Sequence, residues 1–595
     1  MKVSKKIVII AIFIISLAMA TLSGCDLDIL DANDYVCVHQ WGDWKIVEQG
    51  DCKTIGIIRR ECLKCGSIKE EETALKDHTE GEWIVDKVAV CEDGFKHTEC
   101  TVCGELIRSE TIPASNKHEY ENDTCINCGV TNERCFEFVY IETSDSYAIR
   151  VKAGSYLPNE IVLPDTFKGK MVTEICNSAF SNSYITSVVI PKNIKKIGDY
   201  AFAECVDLYH IEIESGATSI GSYAFFNCVN ITSIVIPESV TFIGEYAFDS
   251  CAYLADIIMP DTVTYIGEHA FNNTRYYNRT YNWVDGILYI GNHLIEARSY
   301  ITDGCRIKDD VVAIANCAFR WCDNLTYIVI PDGVVKIGNY AFFGCENLSR
   351  VEISDSVSSI GGYAFAYCYN LKNVVIGEGV ETIGESAFYK CTSLAEAIIP
   401  DSVISIDKSA FYGCTDLEKV EFGDSLETIG EYAFSNCDRI TNIVTGSNQK
   451  TIGAYAFYDC DDLKNVVILD SVETIENSAF SSCTSLSNLT IGDGVMYIGS
   501  FAFSRCSKLA KVVIPKNVRS IGGCAFLDCE NLSSVEFEDS TFWFVLNGND
   551  DLSYLSPSNF KDSEKTVDYL TSTYCEYNWT RLELLEIIGG VSSLK

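Results

Sequence analysis

The residues best suited to chemistry are cysteines and histidines gathered near the N-terminus. His39, Trp44, Cys52, Cys62 and Cys65 are followed, at equal His-to-Trp and Trp-to-Cys spacings, by His78, Trp83, Cys91, Cys100 and Cys103. A shortened third copy supplies His118, Cys125 and Cys128. Every copy ends in Cys-x-x-Cys-Gly, a knuckle that turns the chain so that both thiolates face one point; a third Cys and a His complete the tetrahedral set that zinc prefers. Two registers satisfy that rule. In one, Cys52, Cys62, Cys65 and His78 form a site, Cys91, Cys100, Cys103 and His118 the next, and Cys125 and Cys128 close with Cys37 and His39. In the other, each His belongs with the cysteines that follow it. Disulfides are the competing use of these thiols, because small cysteine-dense modules outside the cell are commonly bridged, although a disulfide framework has no use for phased histidines. Four protein ligands leave no open position for water or substrate, so a zinc ion here is structural rather than catalytic. Nor does a thioredoxin-like strand and helix pattern surround the Cys-x-x-Cys pairs, which argues against redox catalysis.

The elements that carry these residues follow an address signal. Lys2, Lys5 and Lys6 precede an apolar run from Ile7 to Ala20 and then Leu22-Ser23-Gly24-Cys25, the organisation of a signal peptide over residues 1–24. Its apolar core is short for a transmembrane span. The four residues at its end resemble the bacterial lipobox, whose cysteine becomes the lipid-modified first residue, and that resemblance implies Cys25 as a membrane anchor on the extracellular face. Acyl chains bury methylenes at about 0.8 kcal/mol each, which holds such a chain firmly to a membrane. Residues 25–135 then read as a cysteine- and histidine-rich stalk, with Trp41, Trp44 and Trp83 packing its small cores. The chain holds 46 Lys plus Arg against 84 Asp plus Glu, a net charge of -38. That charge repels a phosphate backbone and excludes nucleic acid as a partner.

Beyond the stalk one unit is repeated. Ala-Phe returns at Phe180, Phe202, Phe225, Phe248 and Phe271, then every 23 residues from Phe319 to Phe526, fifteen times in all. The one break in phase, the 48 residues from Phe271 to Phe319, implies two coils' length with an irregular insertion, about 272–308. A fixed period of this length marks a solenoid in which each coil needs only its neighbours. In the coil that begins at Ile337, the recurrent positions are Ile337, Gly338, Ala341, Phe342, Cys345, Leu348, Val351, Ile353 and Val357. Leu348, Val351 and Ile353 have the spacing of a strand with one face inward. Gly338 marks a tight corner, and Ala341-Phe342-x-x-Cys345 predicts a short helical or 3-10 turn on the convex side that sends Phe inward. Asp-Ser or Glu-Gly before the Val supplies turn chemistry. The thirteen coil cysteines from Cys205 to Cys529 read as a ladder of small reduced core residues, with Ser183 and Thr274 in the same place beside irregular coils.

This pattern, Ile-Pro-Asp-x-Val with Ile-Gly-x-x-Ala-Phe-x-x-Cys-x-x-Leu, resembles the BspA-like leucine-rich repeat family of bacterial surface proteins over residues 136 to 595. Ile161-Val162-Leu163-Pro164 with Gly169-Lys170-Met171-Val172-Thr173 looks like that family's first coil, and Tyr569-Leu570-Thr571-Ser572-Thr573-Tyr574 like its closing segment. The insertion from Trp283 to Ile295, with Asp285-Gly286 between strand-like stretches, also recurs there and reads as a protruding β-hairpin. The resemblance implies a mainly β leucine-rich repeat solenoid over 136–540, with its first coil at 136–175. It also implies a surface protein whose relatives bind host proteins or neighbouring cells. It brings no catalytic residue.

On each strand, the residue between the last two core positions faces outward on the open, concave sheet: Glu212, Val235, Ile258, Val329, Glu352, Val375, Ile398, Glu421, Val444, Val467, Thr490, Val513 and Glu536. Eight of the thirteen are Val or Ile. Strand preference explains part of that enrichment, but an exposed apolar stripe commonly marks a partner surface. Val235, Ile258, Val329, Val375, Ile398, Val444, Val467 and Val513 are therefore the candidate protein-binding residues, with polar outward neighbours as a rim. Sixteen or seventeen coils make a ribbon about 80 Å long, which suits an extended extracellular protein or glycan better than a metabolite. Residues 541–595, with Trp543, Tyr554, Phe560, Tyr569, Tyr574 and Trp579, are expected to cap the last open edge. Histidines confined mostly to the stalk and carboxylates scattered on turns argue against an enzyme. Two readings follow: an anchored adhesion module, or a structural spacer or envelope coat without a dedicated ligand.

Overall fold

The computed structural model describes residues 135–581 apart from 156, 303–305, 542 and 547–551. Before them it describes 27–29, 35–37, 40–48, 57–63, 67–72, 81–82, 84–87, 94–101, 106–112, 120–121 and 124–125. The chain forms two compact units, Met1–Gly129 and Val130–Lys595.

In the first unit the repeated cysteine motif corresponds to a repeated fold. Lys45–Glu48, Ile57–Glu61 and Ile68–Glu72 form one three-stranded antiparallel sheet; Ile84–Lys87, Gly94–Glu99 and Leu106–Ile112 form another. In each, a buried cysteine follows the middle strand, Cys62 in the first and Cys100 in the second. Trp41 and Trp44 take the Arg60 guanidinium between them, at 5.2 and 4.4 Å from their ring centres, a cation–π arrangement.

The second unit is the solenoid. Each coil supplies a longer strand, such as Arg350–Ile353, and a two-residue strand, such as Ser359–Ile360. The two-residue strands pair in parallel and in register, Ile337 beside Ile360 and Ile360 beside Ile383. They build the longest sheet, 16 strands from Trp283–Val284 to the C-terminal segment, and part of an 8-stranded one before it. The longer strands stand in file but pair only in groups of two or three, so the sheet expected on the open side is a series of short ladders. At the corner, a Cβ on Gly338 would stand 2.6 Å from the Ala315 carbonyl carbon and the Asn316 nitrogen of the coil below. Glycine there serves close stacking of backbones.

The expected helical or 3-10 turn at Ala-Phe is corrected by the structure. Tyr363 and Tyr367 both lie in the left-handed region, with φ of 56° and 61°. The N–H groups of Ala364, Ala366 and Cys368 close tight turns onto Gly361, Tyr363 and Phe365. Those of Tyr363, Phe365 and Tyr367 instead point along the axis and donate to Glu385, Ala387 and Tyr389 of the next coil at 2.7–2.8 Å. A 3-10 turn would close every N–H locally; here every second one is spent between coils, so this side of the solenoid is also a hydrogen-bonded ladder. The phenylalanines run up its inner side fully buried, with Phe365 stacked 5.0 Å from Phe342 and 5.3 Å from Phe388. Beside them, Cys228, Cys251 and ten others among the thirteen coil thiols donate to the Phe carbonyl of the preceding coil at 3.1–3.3 Å. The exception is Cys322, above the irregular coil, which reaches Arg298 O at 3.7 Å. A buried carbonyl gains a second donor in this way, which explains a thiol where size alone would admit alanine.

The insertion departs from expectation too. Asp285 and Gly286, with φ of 51° and 85°, make the tight turn between Trp283–Val284 and Ile287–Ile290. Yet Ile287–Ile290 is buried at every position, and His293–Ala297 pairs in parallel with the next coil's Ala313–Ile314. The hairpin is therefore folded into the stack in place of coil strands, and does not protrude. At the far end, Asn578–Arg581 pairs with Ser520–Ile521 and with Trp543–Leu546. This buries Trp543 and Trp579 over the last coil, while Tyr554 faces solvent.

Candidate interaction surface

The outward row lies where the period-two strand pattern puts it. Val235, Ile258, Val329, Val375, Ile398 and Val444 each keep 43–53 % of their surface in solvent, while Val467 and Val513 are half-buried. Register brings some of them together: Val235 lies beside Ile258, and Val444 beside Val467, which is followed by Thr490. It also separates them. Glu352 stands between Val329 and Val375, Ile398 is followed by Glu421, and Val513 by Glu536. The row is a succession of apolar pairs divided by carboxylates.

Those carboxylates are partnered on the same face. Arg350 reaches Glu352 at 2.5 Å, Lys419 reaches Glu421 at 2.8 Å, and Lys511 reaches Glu536 at 3.3 Å. The hydrogen bond to Glu421 raises the Lys419 pKa. Such exposed pairs contribute little to stability, but they set the order of apolar and charged contacts along the face. A polar rim runs beside Val444 and Val467: Asn488 donates to Asn465 at 2.6 Å, and Asn465 to Asn442 at 2.5 Å. Along the strand edge, an open groove is lined by Asp323, Thr326, Asn347, Ser349, Asn370 and Lys372. Three of its side chains are already spent on backbone carbonyls: Asn347 on Asp323, Asn370 on Glu346 and Ser349 on Thr326, at 2.8–2.9 Å.

A group of ionisable side chains lies at the insertion. Glu268 bonds Arg320 at 3.1 Å and lies 3.2 Å from His269 Nε2. Tyr277 donates to Glu296 at 2.9 Å, and Arg298 stacks 3.7 Å over Trp283. Burial, together with the Glu268 carboxylate, pushes the Cys317 thiol up to about 12. Burial also raises Tyr277 and Glu296. A thiol held protonated is a poor nucleophile at neutral pH.

A second aromatic ladder escaped the sequence reading. Two residues before the repeated Phe, Tyr200, Tyr223 and Tyr246 stack at 4.6–4.7 Å, Tyr340 on Tyr363 at 4.9 Å and Tyr432 on Tyr455 at 4.6 Å. Its signal is the same period, with Tyr in the phase of Tyr340.

Of the proposed metal ligands, Cys62 and Cys100 occupy equivalent buried places, and Cys125 ends the strand Thr124–Cys125. Cys52, Cys65, His78, Cys91, Cys103, His118 and Cys128 lie outside the described residues, as do Cys25 and Trp83. Among the described residues no three His, Cys, Asp or Glu are placed to hold one ion, and no described helix is long and apolar enough to cross a membrane.

A parallel stack of coils, each presenting one strand face outward around an apolar ladder, defines a leucine-rich repeat solenoid. The model for the BspA-type leucine-rich repeat region matches residues 173–302, 312–441 and 427–544, in six copies and over more than half of the chain. The chain belongs to that family. Similar solved structures include a leucine-rich repeat protein of Bacteroides ovatus, 22% identical, covering 67% of this chain and 86% of its own, with a TM-score of 0.30. A leucine-rich cell surface protein of Faecalibacterium prausnitzii is 24% identical over 65% of this chain and 96% of its own, with a TM-score of 0.25. The T. pallidum leucine-rich repeat protein is 29% identical over 32% of this chain and 80% of its own, with a TM-score of 0.26. These scores are low, and the family assignment rests on the repeat model. No curated protein matches the chain.

Proposed function

We propose that this protein is a cell-surface adhesion module, anchored by lipid at Cys25 and raised on a zinc-stabilised stalk, that binds an extracellular protein or glycan through the outward row of its longer strands. The observation that carries this reading is the set of half-exposed apolar residues held in register between ion pairs, on a surface built by many identical coils. The family of repeat scaffolds to which the chain belongs supports it. Membership in a repeat family without catalytic residues favours binding over catalysis.

The test compares the purified chain with a Val375→Lys/Val444→Lys variant as baits for surface proteins and glycans. Covering a half-exposed Val contributes about 1 kcal/mol, so the double change should weaken a partner on this face by at least about 30-fold. Both sites are exposed, so the solenoid itself should melt unchanged. A partner held equally by both proteins would remove the row from the interaction. No partner for either would favour the spacer role.

A further inference from the structure

The last coil carries a cysteine outside the thiol ladder. Cys524 lies two residues before Phe526, the phase that holds Tyr340 or Tyr363 in other coils, and like them it has a positive φ, of 58°. In the preceding coil the same position, Phe501, donates its N–H to Gly523 of the coil above. No repeat coil follows Cys524. Its N–H donates instead to the carbonyl of Cys575, 51 positions later in the capping segment. The cap continues the ladder here, and Gly523 N–H donates to Asn578 Oδ1 beside it at 3.0 Å.

That single N–H to carbonyl bond brings the two backbones into direct contact, the close approach that a disulfide requires. Burial, and next the neighbouring Cys575 thiol, push the Cys524 thiol up. Cys524 is buried and Cys575 half-exposed. The ladder thiols differ: those from Cys345 to Cys506 are fully buried and engaged with Phe carbonyls.

We propose that Cys524 and Cys575 are joined as a cystine that locks the C-terminal cap onto the solenoid. The oxidising setting this requires rests on the surface location proposed above. The co-reactant is an external disulfide, from an oxidoreductase or oxidised glutathione. The half-exposed Cys575, as thiolate, attacks one of its sulfurs to give a mixed disulfide and releases one thiolate. Cys524 then displaces the second. Two thiols give up two protons and two electrons, and the external disulfide becomes two thiols. A terminal coil has a repeat neighbour on one side only, so a cross-link that closes the loop holding the whole cap acts where the stack is most open to fraying.

The test oxidises the reduced full chain with oxidised glutathione, alkylates it under denaturing conditions and maps the peptides. A linked Cys524–Cys575 peptide is expected, with the ladder thiols alkylated. Proteolytic nicking within residues 541–581 should be roughly 100-fold faster in Cys575→Ser than in the oxidised parent. Cys524→Ser should match Cys575→Ser, and reductant should bring the parent to the same rate. Alkylation of both residues after oxidation would overturn the cross-link, as would equal nicking of parent and variants. The same mapping on protein taken from its native cells separates the two readings: a pair that links in glutathione but is isolated as thiols would refute the surface location and leave the cross-link chemistry standing.

Discussion

Replacing one ladder phenylalanine should open the solenoid locally. Phe411 is fully buried, with its ring 5.1 Å from Phe388 and 5.0 Å from Phe434. Its neighbours cannot collapse into the space left by Phe411→Ala, because each coil is fixed by its own backbone ladder, such as Phe411 N–H to Ala433 and Phe388 N–H to Ala410, both at 2.7 Å. The cost should therefore sit near the top of the range for buried Phe→Ala, about 4–5 kcal/mol. The stack transmits stability only between neighbours, so most of that loss should appear in the coils from Phe388 to Phe434. Amide exchange there should accelerate by about 1000-fold, while the coils from Phe202 to Phe248 keep their protection. Phe526→Ala is the internal comparison: its ring stacks on Phe503 at 5.4 Å and no coil lies beyond it, so its cost should fall near about 3 kcal/mol. Uniform acceleration along the whole solenoid would refute the nearest-neighbour reasoning. Equal costs at Phe411 and Phe526 would refute the assignment of the loss to the stack.

Four further outcomes are expected. Cys391→Ser keeps a donor for the Phe365 carbonyl and should cost about 1 kcal/mol or less, whereas Cys391→Leu overpacks the ladder and should cost about 1–3 kcal/mol in chemical denaturation. His293 is fully buried between the carbonyls of Ile290 and Val263, and burial lowers its pKa. Its contribution is therefore complete above the unfolded value of about 6.5 and is lost as pH falls below it, so exchange protection of the insertion should weaken on acidification from neutral pH, and His293→Asn should flatten that part of the profile. Burial raises Glu296, and its contribution runs the opposite way: complete below the unfolded value and lost as pH rises through the folded one, so Glu296→Gln should strengthen the insertion at neutral pH. In the stalk, zinc measured on the purified chain should fall by about one ion in Cys62→Ser and again in Cys100→Ser; a chain that carries no zinc and unfolds with reductant but not with chelator would make the stalk a disulfide framework.

The coil was legible because its core residues recur in one phase. Ile337, Ala341, Phe342, Cys345, Leu348, Val351, Ile353 and Val357 are all buried, and the alternation that put Val375 and Val444 outward follows from strand geometry alone. The turn was not legible. A search for left-handed backbone looks for glycine, but here the two positive-φ places per coil are filled by Tyr340 and Gly344, Tyr363 and Tyr367, or Ser386 and Lys390. What imposes that conformation is the hydrogen bonding between coils, which no single coil's sequence displays. The insertion misled for a related reason. Asp285-Gly286 does signal a tight turn, but whether a hairpin protrudes or packs is decided by Ile287-Leu288-Tyr289-Ile290, a run apolar on both faces and so buried on both.

The two faces of the solenoid divide the work of the repeat. The turn side is occupied by its own hydrogen bonds and stacked rings, with Tyr389 on Tyr412 at 5.0 Å and Phe388 on Phe411 within the core. Its residues are constrained by the next coil and are poor places for a varied recognition code. On the strand side, the outward residue is free of such pairing in the core and differs from coil to coil, as the order Val375, Ile398, Glu421, Val444 shows. Variation is tolerated where stacking does not depend on it, which is the property a binding face needs. Arg350→Ala and Lys419→Ala test this division. Each should leave stability within about 1 kcal/mol, because the pairs are exposed, yet each uncovers a carboxylate inside the row and should change a partner's salt dependence. Melting that drops by several degrees in either variant would place these charges in the fold rather than in recognition.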